Sequence, residues 1–263
     1  MIREMINTSD DKSLTQGTIF NCAFCPRYKN DEIFGLIITA RCDIANENKV
    51  RTYNFIPVIP FNLWKEFELS ILLKDRVIKS ITNQLKQLIE KSGFTMSNLN
   101  TYGEEKILEI IKKDNKLKTT DLSNLLIQLE KLHIINEVGN YEKKYSIFKR
   151  DIEEIIKSVI ENKVSDYFFI DEIAGYGASI ANLREIYEID IETAKMIKDG
   201  LTLKRGRPYL GLNNKLENDF CSIIGQLKSP YIELLLQRFA NNFTRIGIDN
   251  HNSLIINKIC EVS

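Results

Sequence analysis

The chain has 263 residues, and its 36 basic and 36 acidic side chains cancel, so a global electrostatic attraction to nucleic acid is absent. Hydrophobic residues make up 43% and charged residues 27% of the sequence, which is ordinary for a globular protein with an apolar core. No apolar run approaches the roughly 18 residues that span a bilayer, and the polar N-terminus lacks the pattern of a signal peptide. We therefore expect a cytoplasmic protein with no membrane partner.

Residues 15–60 carry the pattern of short β-strands. A glycine precedes the second of the three apolar runs, which is rich in β-branched residues, and Pro60 marks the edge or the end of the sheet. The runs lie at residues 17–25, 36–39 and 53–58. Short strands joined by tight polar links predict a small antiparallel barrel.

The period of the apolar residues changes to that of a helix after position 61. Leucine and isoleucine recur every three or four residues over 62–91, which predicts a long amphipathic helix that ends at Ser92-Gly93. Shorter helices are predicted at 104–112, 121–132 and 151–163. Between the last two, the segment around Gly139-Asn140 predicts a hairpin. Helix, helix, hairpin is the order of a winged-helix unit, although other small α+β inserts give the same pattern.

The last third mixes strands and helices. Strands are predicted at 167–170 and 178–183, and a short helix at 192–198. Ser229-Pro230 then begins a helix, because serine suits the N-cap and proline the first helical position. Its apolar stripe comprises Ile232, Leu235, Leu236, Phe239 and Phe243. We expect this stripe to pack on the helix 62–91, which has a matching stripe.

A polar cluster follows the second strand. Arg41 and Asp43 would share one face of a continuing strand, whereas Cys42 would face the core. In a catalytic reading Asp43 is a general base, Arg41 stabilises charge on a phosphate, and Asn46 adds a polar contact. The alternative is an Arg41–Asp43 ion pair beside a buried cysteine, with Asp43 and Asn46 as turn formers.

The cysteines raise the question of a metal site. Cys22-x-x-Cys25 with Cys42 offers three thiols, but a structural zinc site needs a fourth ligand, and His133 and His251 are distant in sequence. In the absence of a secretion signal, reduced core thiols are the better prediction. We expect no metal and no cofactor.

Basic residues recur in the last third of the chain. Lys204, Arg205 and Arg207 surround Gly206, and a loop of this kind can bind phosphate or a partner. Arg238 and Arg245 lie on the last predicted helix and extend the same set. The alternative is a solvated loop and an exposed helix face.

Residues 16–60 resemble the opening of the PemK/MazF-type toxins, which are SH3-like barrels that cleave RNA. The matching features are Gly17-x-Ile19-Phe20, Pro26 before a variable loop, Gly35 before the strand 36–39, Asp43-x-x-Asn46, and a strand that ends in Val58-Ile59-Pro60. These toxins usually carry Arg-Pro where this chain has Phe34-Gly35, and that arginine serves the cleavage site. The resemblance therefore implies the barrel more than an active nuclease, and it assigns no role to Arg41.

Together these features predict an α+β fold with a small N-terminal SH3-like β-barrel, a large helical middle and a mixed α/β C-terminal part. The expected boundaries are 1–61, 62–163 and 164–263. Two functions fit. The first is a nucleic-acid-acting component of a bacterial toxin or phage-defence system, with metal-free cleavage of RNA at Arg41 and Asp43. The second is a non-catalytic subunit of a defence complex that binds protein partners of the same system.

Overall fold

Strands from both ends of the chain form the main sheet. The computed structural model describes residues 2–8, 14–46, 49–137, 139–173, 175–204 and 206–244. The first four strands are β1 (Ile6–Asn7), β2 (Thr18–Phe20), β3 (Phe34–Ile37) and β4 (Thr52–Pro60). The later strands are β5 (Tyr167–Ile173), β6 (Gly177–Asn182), β7 (Tyr187–Asp190), β8 (Leu201–Thr202), β9 (Phe220–Cys221) and β10 (Ile223–Leu227).

The main sheet is antiparallel and eight-stranded, in the order β1-β10-β2-β3-β4-β6-β5, with β7 paired to β4. It curves into a nearly closed barrel, and the α+β class predicted from the sequence is confirmed. The predicted continuation of the first strand through Cys25 is wrong. Cys22 has a φ of 58°, a left-handed conformation that breaks a strand, and a short 3₁₀ turn at Pro26–Tyr28 follows.

Both faces of the sheet are buried, each in its own cluster. In β4, Phe55 and Ile59 belong to a cluster shared with the helices, here called the helix-side cluster. Ile56 and Val58 belong to a second cluster, the barrel cluster. This alternation follows the two-residue period of a strand. Because neither face is left to solvent, β4 is an almost continuous apolar run.

Eight α-helices complete the described fold. They are α1 (Arg41–Ala45), α2 (Phe61–Lys91), α3 (Met96–Tyr102), α4 (Glu104–Lys113), α5 (Thr119–Asn136), α6 (Tyr141–Ile160), α7 (Ile191–Asp199) and α8 (Tyr231–Phe243). The predicted long helix is confirmed as α2, which begins directly after Pro60. Its apolar stripe, including Leu73, Val77 and Leu85, lies in the helix-side cluster together with residues of α5 and α6.

The predicted hairpin at Gly139-Asn140 is wrong. Gly139 and Asn140 have φ values of 73° and 56°, and they form a tight left-handed turn between α5 and α6. The residues after this turn, which are expected to form a strand, belong to α6. In this helix Phe148, Ile152 and Ile155 are buried at helical spacing. The winged-helix unit, which requires a hairpin at this point, is therefore not formed.

The expected packing of the last helix on α2 is also wrong. Ile232 and Leu235 of α8 are buried in the barrel cluster beside residues of β1–β6 and β10, whereas α2 belongs to the helix-side cluster. The stripe of α2 is already covered by α5 and α6. The second face of the sheet would otherwise be exposed to water, and α8 covers it.

The barrel closes at one seam through side chains. The segment just before β1 contacts β5, where Asp171 accepts hydrogen bonds from the backbone N of Arg3 at 2.9 Å and from its Nε at 2.8 Å. The backbone N–H of Asp171 donates to the thioether sulfur of Met5 at 3.4 Å. Burial raises the pKa of Asp171, but the hydrogen bonds from Arg3 outweigh it, so the pKa is lowered from its ordinary value of 3.8.

The seam gives a pH-dependent contribution to stability. We expect Asp171→Asn to lower the free energy of unfolding at neutral pH by about 1–2 kcal/mol, because Arg3 loses its charged partner while staying partly hydrated. Because the pKa of Asp171 is lower in the folded state, this group stabilises the fold at pH values above its ordinary pKa of 3.8. The difference between wild type and variant should therefore shrink as the pH falls through the folded-state pKa.

Denaturant unfolding of both proteins across this pH range measures the effect. Glu172→Gln is the matched control, because Glu172 is the exposed neighbour of Asp171, and it should leave stability unchanged within about 0.5 kcal/mol. A difference between wild type and Asp171→Asn that does not vary with pH would contradict this account of the seam.

Candidate functional site

The predicted strand-end cluster lies on a helix, so the placement of Arg41 to Asp43 on a strand is wrong. The pairing of β3 with β4 ends at Ile37. Two residues later, the Oγ1 of Thr39 accepts a hydrogen bond from the backbone N–H of Asn54 at 2.7 Å. The chain then forms α1, with Ala40 at its N-cap and Asn46 at its C-cap.

The side chains of α1 do not converge. Arg41 Nη2 lies 3.7 Å from Glu233 Oε1 of α8, whereas Asp43 forms an ion pair with Lys49. The Arg41–Asp43 ion pair of the alternative interpretation is therefore not formed. Cys42 is exposed, which corrects its predicted place in the core. The hydrogen bond from Lys49 lowers the pKa of Asp43, and a carboxylate with a lowered pKa is a weak general base.

A second region is the loop 203–219, which joins β8 to β9 and is here called the basic loop. Its base is closed by the backbone N–H of Leu203, which donates to Asp219 O at 2.7 Å. Lys204 and Arg207 are exposed, and Arg205 lies outside the described residues. The guanidinium of Arg207 lies over the ring of Tyr209, 5.2 Å from its centroid.

The basic loop is held against the barrel by backbone contacts. Phe24 N donates to Gly211 O at 2.9 Å, and Asn213 N donates to Cys22 O at 2.9 Å. Gly211 has a φ of 76°, and a Cβ at this position would lie 2.3 Å from the backbone oxygen of Glu188. Only glycine permits such a close approach, so this part of the loop has a defined position.

A cleft of about 750 Å³ opens beside the basic loop. It is lined by Phe24, Gly206, Pro208, Tyr209, Leu212, Asn213, Asn214 and Lys215. None of these described lining residues carries a carboxylate. The cleft therefore combines aromatic rings with lysine and amide groups, and Arg207 lies at its margin.

Arg238 does not join the basic loop. Its Nη2 donates to the carbonyl oxygens of Val164 at 2.7 Å and Tyr167 at 3.2 Å, and burial lowers its pKa. The guanidinium therefore binds backbone carbonyls at the start of β5. It is not free for a partner, in contrast to the prediction. Arg245 lies outside the described residues.

Three of the four described cysteines are buried, namely Cys22, Cys25 and Cys221. The Sγ of Cys25 lies 3.2 Å from Glu185 Oε2 and 3.3 Å from the hydroxyl of Tyr187. Burial raises the pKa of the Cys25 thiol, which keeps it protonated and unreactive at neutral pH. Within the described ranges, no group of three or more histidine, cysteine, aspartate or glutamate side chains is placed to hold a metal ion.

A buried carboxylate in α2 was not predicted from the sequence. Glu68 is 4% exposed and accepts hydrogen bonds from Tyr28 at 3.0 Å and Tyr167 at 2.9 Å. Arg27 also donates to it. Burial, and then the charge of Glu68, raise the pKa of both tyrosines. The signal in the sequence is a glutamate four residues after Trp64, on the apolar face of the helix.

Comparison with protein families, with curated proteins and with solved structures finds no match. In the part of the chain that the structure describes, each helix is too short or too polar to cross a lipid bilayer. The geometry of the chain itself offers the cleft at the basic loop as a candidate ligand site.

Proposed function

We propose that the chain binds single-stranded nucleic acid at the cleft beside the basic loop. The observation that carries this proposal is the Arg207–Tyr209 pair, with its 5.2 Å separation, at the margin of a cleft that Phe24 and Lys215 also line. Aromatic rings stack on bases, and arginine and lysine contact phosphates. A combination of the two is the usual basis of single-strand binding.

The charge and the rigidity of the cleft support the same proposal. The chain as a whole is neutral, so attraction to phosphate must be local, and the lining includes Lys215 and no carboxylate among its described residues. The backbone contacts of Gly211 and Asn213 hold the loop in place before a ligand arrives. A preorganised site loses less entropy on binding.

Binding is better supported than cleavage. A metal-free ribonuclease with Asp43 as base and Arg41 as phosphate clamp needs both groups at one point, whereas their partners are Lys49 and Glu233. The nearly closed barrel is compatible with an SH3-like barrel. On that resemblance we retain, as part of the proposal, membership of a bacterial toxin or phage-defence system.

A second candidate function is protein binding at the same loop. Leu210 and Phe220 are each 50% exposed at the loop and its C-terminal end. Apolar side chains on a positioned loop suit a protein partner, which is the role of a non-catalytic subunit in a multi-protein complex.

Oligonucleotide binding tests the first function. We expect labelled single-stranded RNA and DNA to bind the wild type, and Tyr209→Ala to weaken binding by about 1–3 kcal/mol through lost stacking. Lys215→Gln should reduce the slope of log K against log salt by about 0.7, because one phosphate contact is lost. Fluorescence anisotropy at several salt concentrations measures both effects.

The matched control is Lys198→Gln on α7, an exposed lysine that does not line the cleft, which should leave affinity and salt slope unchanged. Arg207→Gln, at an exposed position, should also weaken binding and should leave the fold intact. If the wild type binds no oligonucleotide at low salt, the nucleic-acid proposal fails and protein binding gains. Product analysis with Asp43→Asn and Arg41→Ala decides whether any cleavage accompanies binding.

A further inference from the structure

A groove of about 420 Å³ lies between the start of α2 and the length of α6. Its aromatic and apolar lining comprises Phe61 of α2 and Tyr141, Tyr145, Ile156 and Ile160 of α6. The backbone of α6 departs from helical geometry at Phe148, with φ −112° and ψ 27°. This kink separates the two tyrosines from the isoleucines, and the groove lies between them.

The rings of the groove are already arranged in pairs. Tyr141 and Tyr145 stack with centroids 5.8 Å apart at an interplanar angle of 28°. Phe61 stacks on Trp64 at 5.8 Å and 12°. The hydroxyl of Tyr145 donates to Glu153 Oε1 at 3.0 Å, which fixes this ring across the kink. Aromatic rings that are held in place in this way suit a planar ligand.

Lys65 supplies a positive charge that forms no ion pair with a carboxylate of the described residues. Its Nζ lies 5.4 Å from the ring centroids of both Phe61 and Tyr141. Among the described residues no carboxylate lies within ion-pair distance of it. Two carboxylates and a second lysine, Lys157, also line the groove. Both carboxylates have lysine partners, because Glu153 pairs with Lys149 at 3.9 Å and Glu161 pairs with Lys163 at 2.6 Å.

We infer that this groove binds a nucleotide, with the base against the parts of the Phe61 and Tyr141 rings that line the groove and the phosphate on Lys65. The volume falls within the usual range for small-molecule sites, about 300–1,000 Å³. A planar ring alone would contact only the aromatic rings, and an anion alone would contact only Lys65. A ligand that carries both uses the whole groove. The nucleotide is either a free mononucleotide or one unit of a single strand, and the basic loop is not required for the first.

The single tryptophan gives a direct measurement. Trp64 is the only tryptophan of the chain and stacks on Phe61, so a base in the groove should change its fluorescence. We expect a saturable change with adenosine monophosphate, a weaker response to adenosine, and none with inorganic phosphate. Lys65→Gln should weaken binding of the monophosphate about tenfold, toward the affinity for adenosine.

Two variants complete the design. Tyr141→Leu keeps an apolar side chain but removes the aromatic ring. It should weaken the binding of both adenosine and its monophosphate. Lys79→Gln, an exposed lysine on the same helix, is the matched control and should change neither. Thermal melting of each variant shows that the fold is retained. A loss with Lys65→Gln no greater than that with Lys79→Gln would overturn the inference.

The source of the nucleotide is decided by a second titration with a short single-stranded oligonucleotide. A response to the oligonucleotide but not to the monophosphate, still dependent on Lys65, assigns the groove to a single strand. Arg207→Gln should weaken the oligonucleotide response and leave the monophosphate response intact, so failure of the basic loop as a binding site is seen separately. No saturable response to either ligand would overturn the inference.

Discussion

Replacing Leu235 with alanine should lower the free energy of unfolding by about 2–5 kcal/mol, because the substitution leaves a cavity in the barrel cluster. Leu235 is fully buried, at 0% exposure, whereas its neighbour Leu234 is 43% exposed. Leu234→Ala removes the same atoms from the surface of the same helix. It should change stability by no more than about 0.5 kcal/mol.

The partner of α8 can be tested in the same experiments. Leu235 and Ile170 belong to the barrel cluster, whereas Leu73 of α2 belongs to the helix-side cluster. Urea unfolding of double variants should show coupling above about 0.5 kcal/mol between Leu235→Ala and Ile170→Val, and additivity between Leu235→Ala and Leu73→Ala. Coupling with Leu73 alone would instead support packing of α8 on α2.

The elements of this fold were easier to predict than their neighbours in space. The helices α2 and α8 follow from apolar residues at helical spacing, and that spacing needs no tertiary information. An apolar stripe does not specify the surface that covers it. The sheet is buried on both faces, so α2 and α8 lie in separate clusters, although their stripes would also fit each other.

The candidate sites show the same limit. Lys204 and Arg207 were predicted because charged residues around a glycine are visible in the sequence. The sequence predicts that the strand continues past Thr39, because it does not show that Thr39 accepts a hydrogen bond from the backbone N–H of Asn54, fifteen residues later. The sequence predicts a hairpin that would include Tyr141 and Tyr145, because the pattern around Gly139-Asn140 resembles a strand pair. Their groove exists only once α6 packs beside α2.

Glu68→Leu should lower the free energy of unfolding by about 3–5 kcal/mol, the largest single effect that we expect. The variant keeps a side chain of similar size, so the loss comes from hydrogen bonds and not from a cavity. Tyr28 and Tyr167 would keep buried hydroxyls without their acceptor. The side chain of Arg27 is 44% exposed and retains water, so the tyrosines dominate the loss.

Removal of the two hydroxyls should rescue the variant. In a Tyr28→Phe, Tyr167→Phe background, Glu68→Leu should cost only about 1 kcal/mol, because an apolar cluster replaces a polar one without unpaired donors. Glu66→Leu is the matched control, since Glu66 is exposed on the same turn of α2, and it should change stability by about 0.5 kcal/mol or less. Urea unfolding of the four proteins of this cycle and of the control measures each value. An equal cost of Glu68→Leu in both backgrounds would show that the hydroxyls do not depend on Glu68, and the loss would then have to be assigned to Arg27.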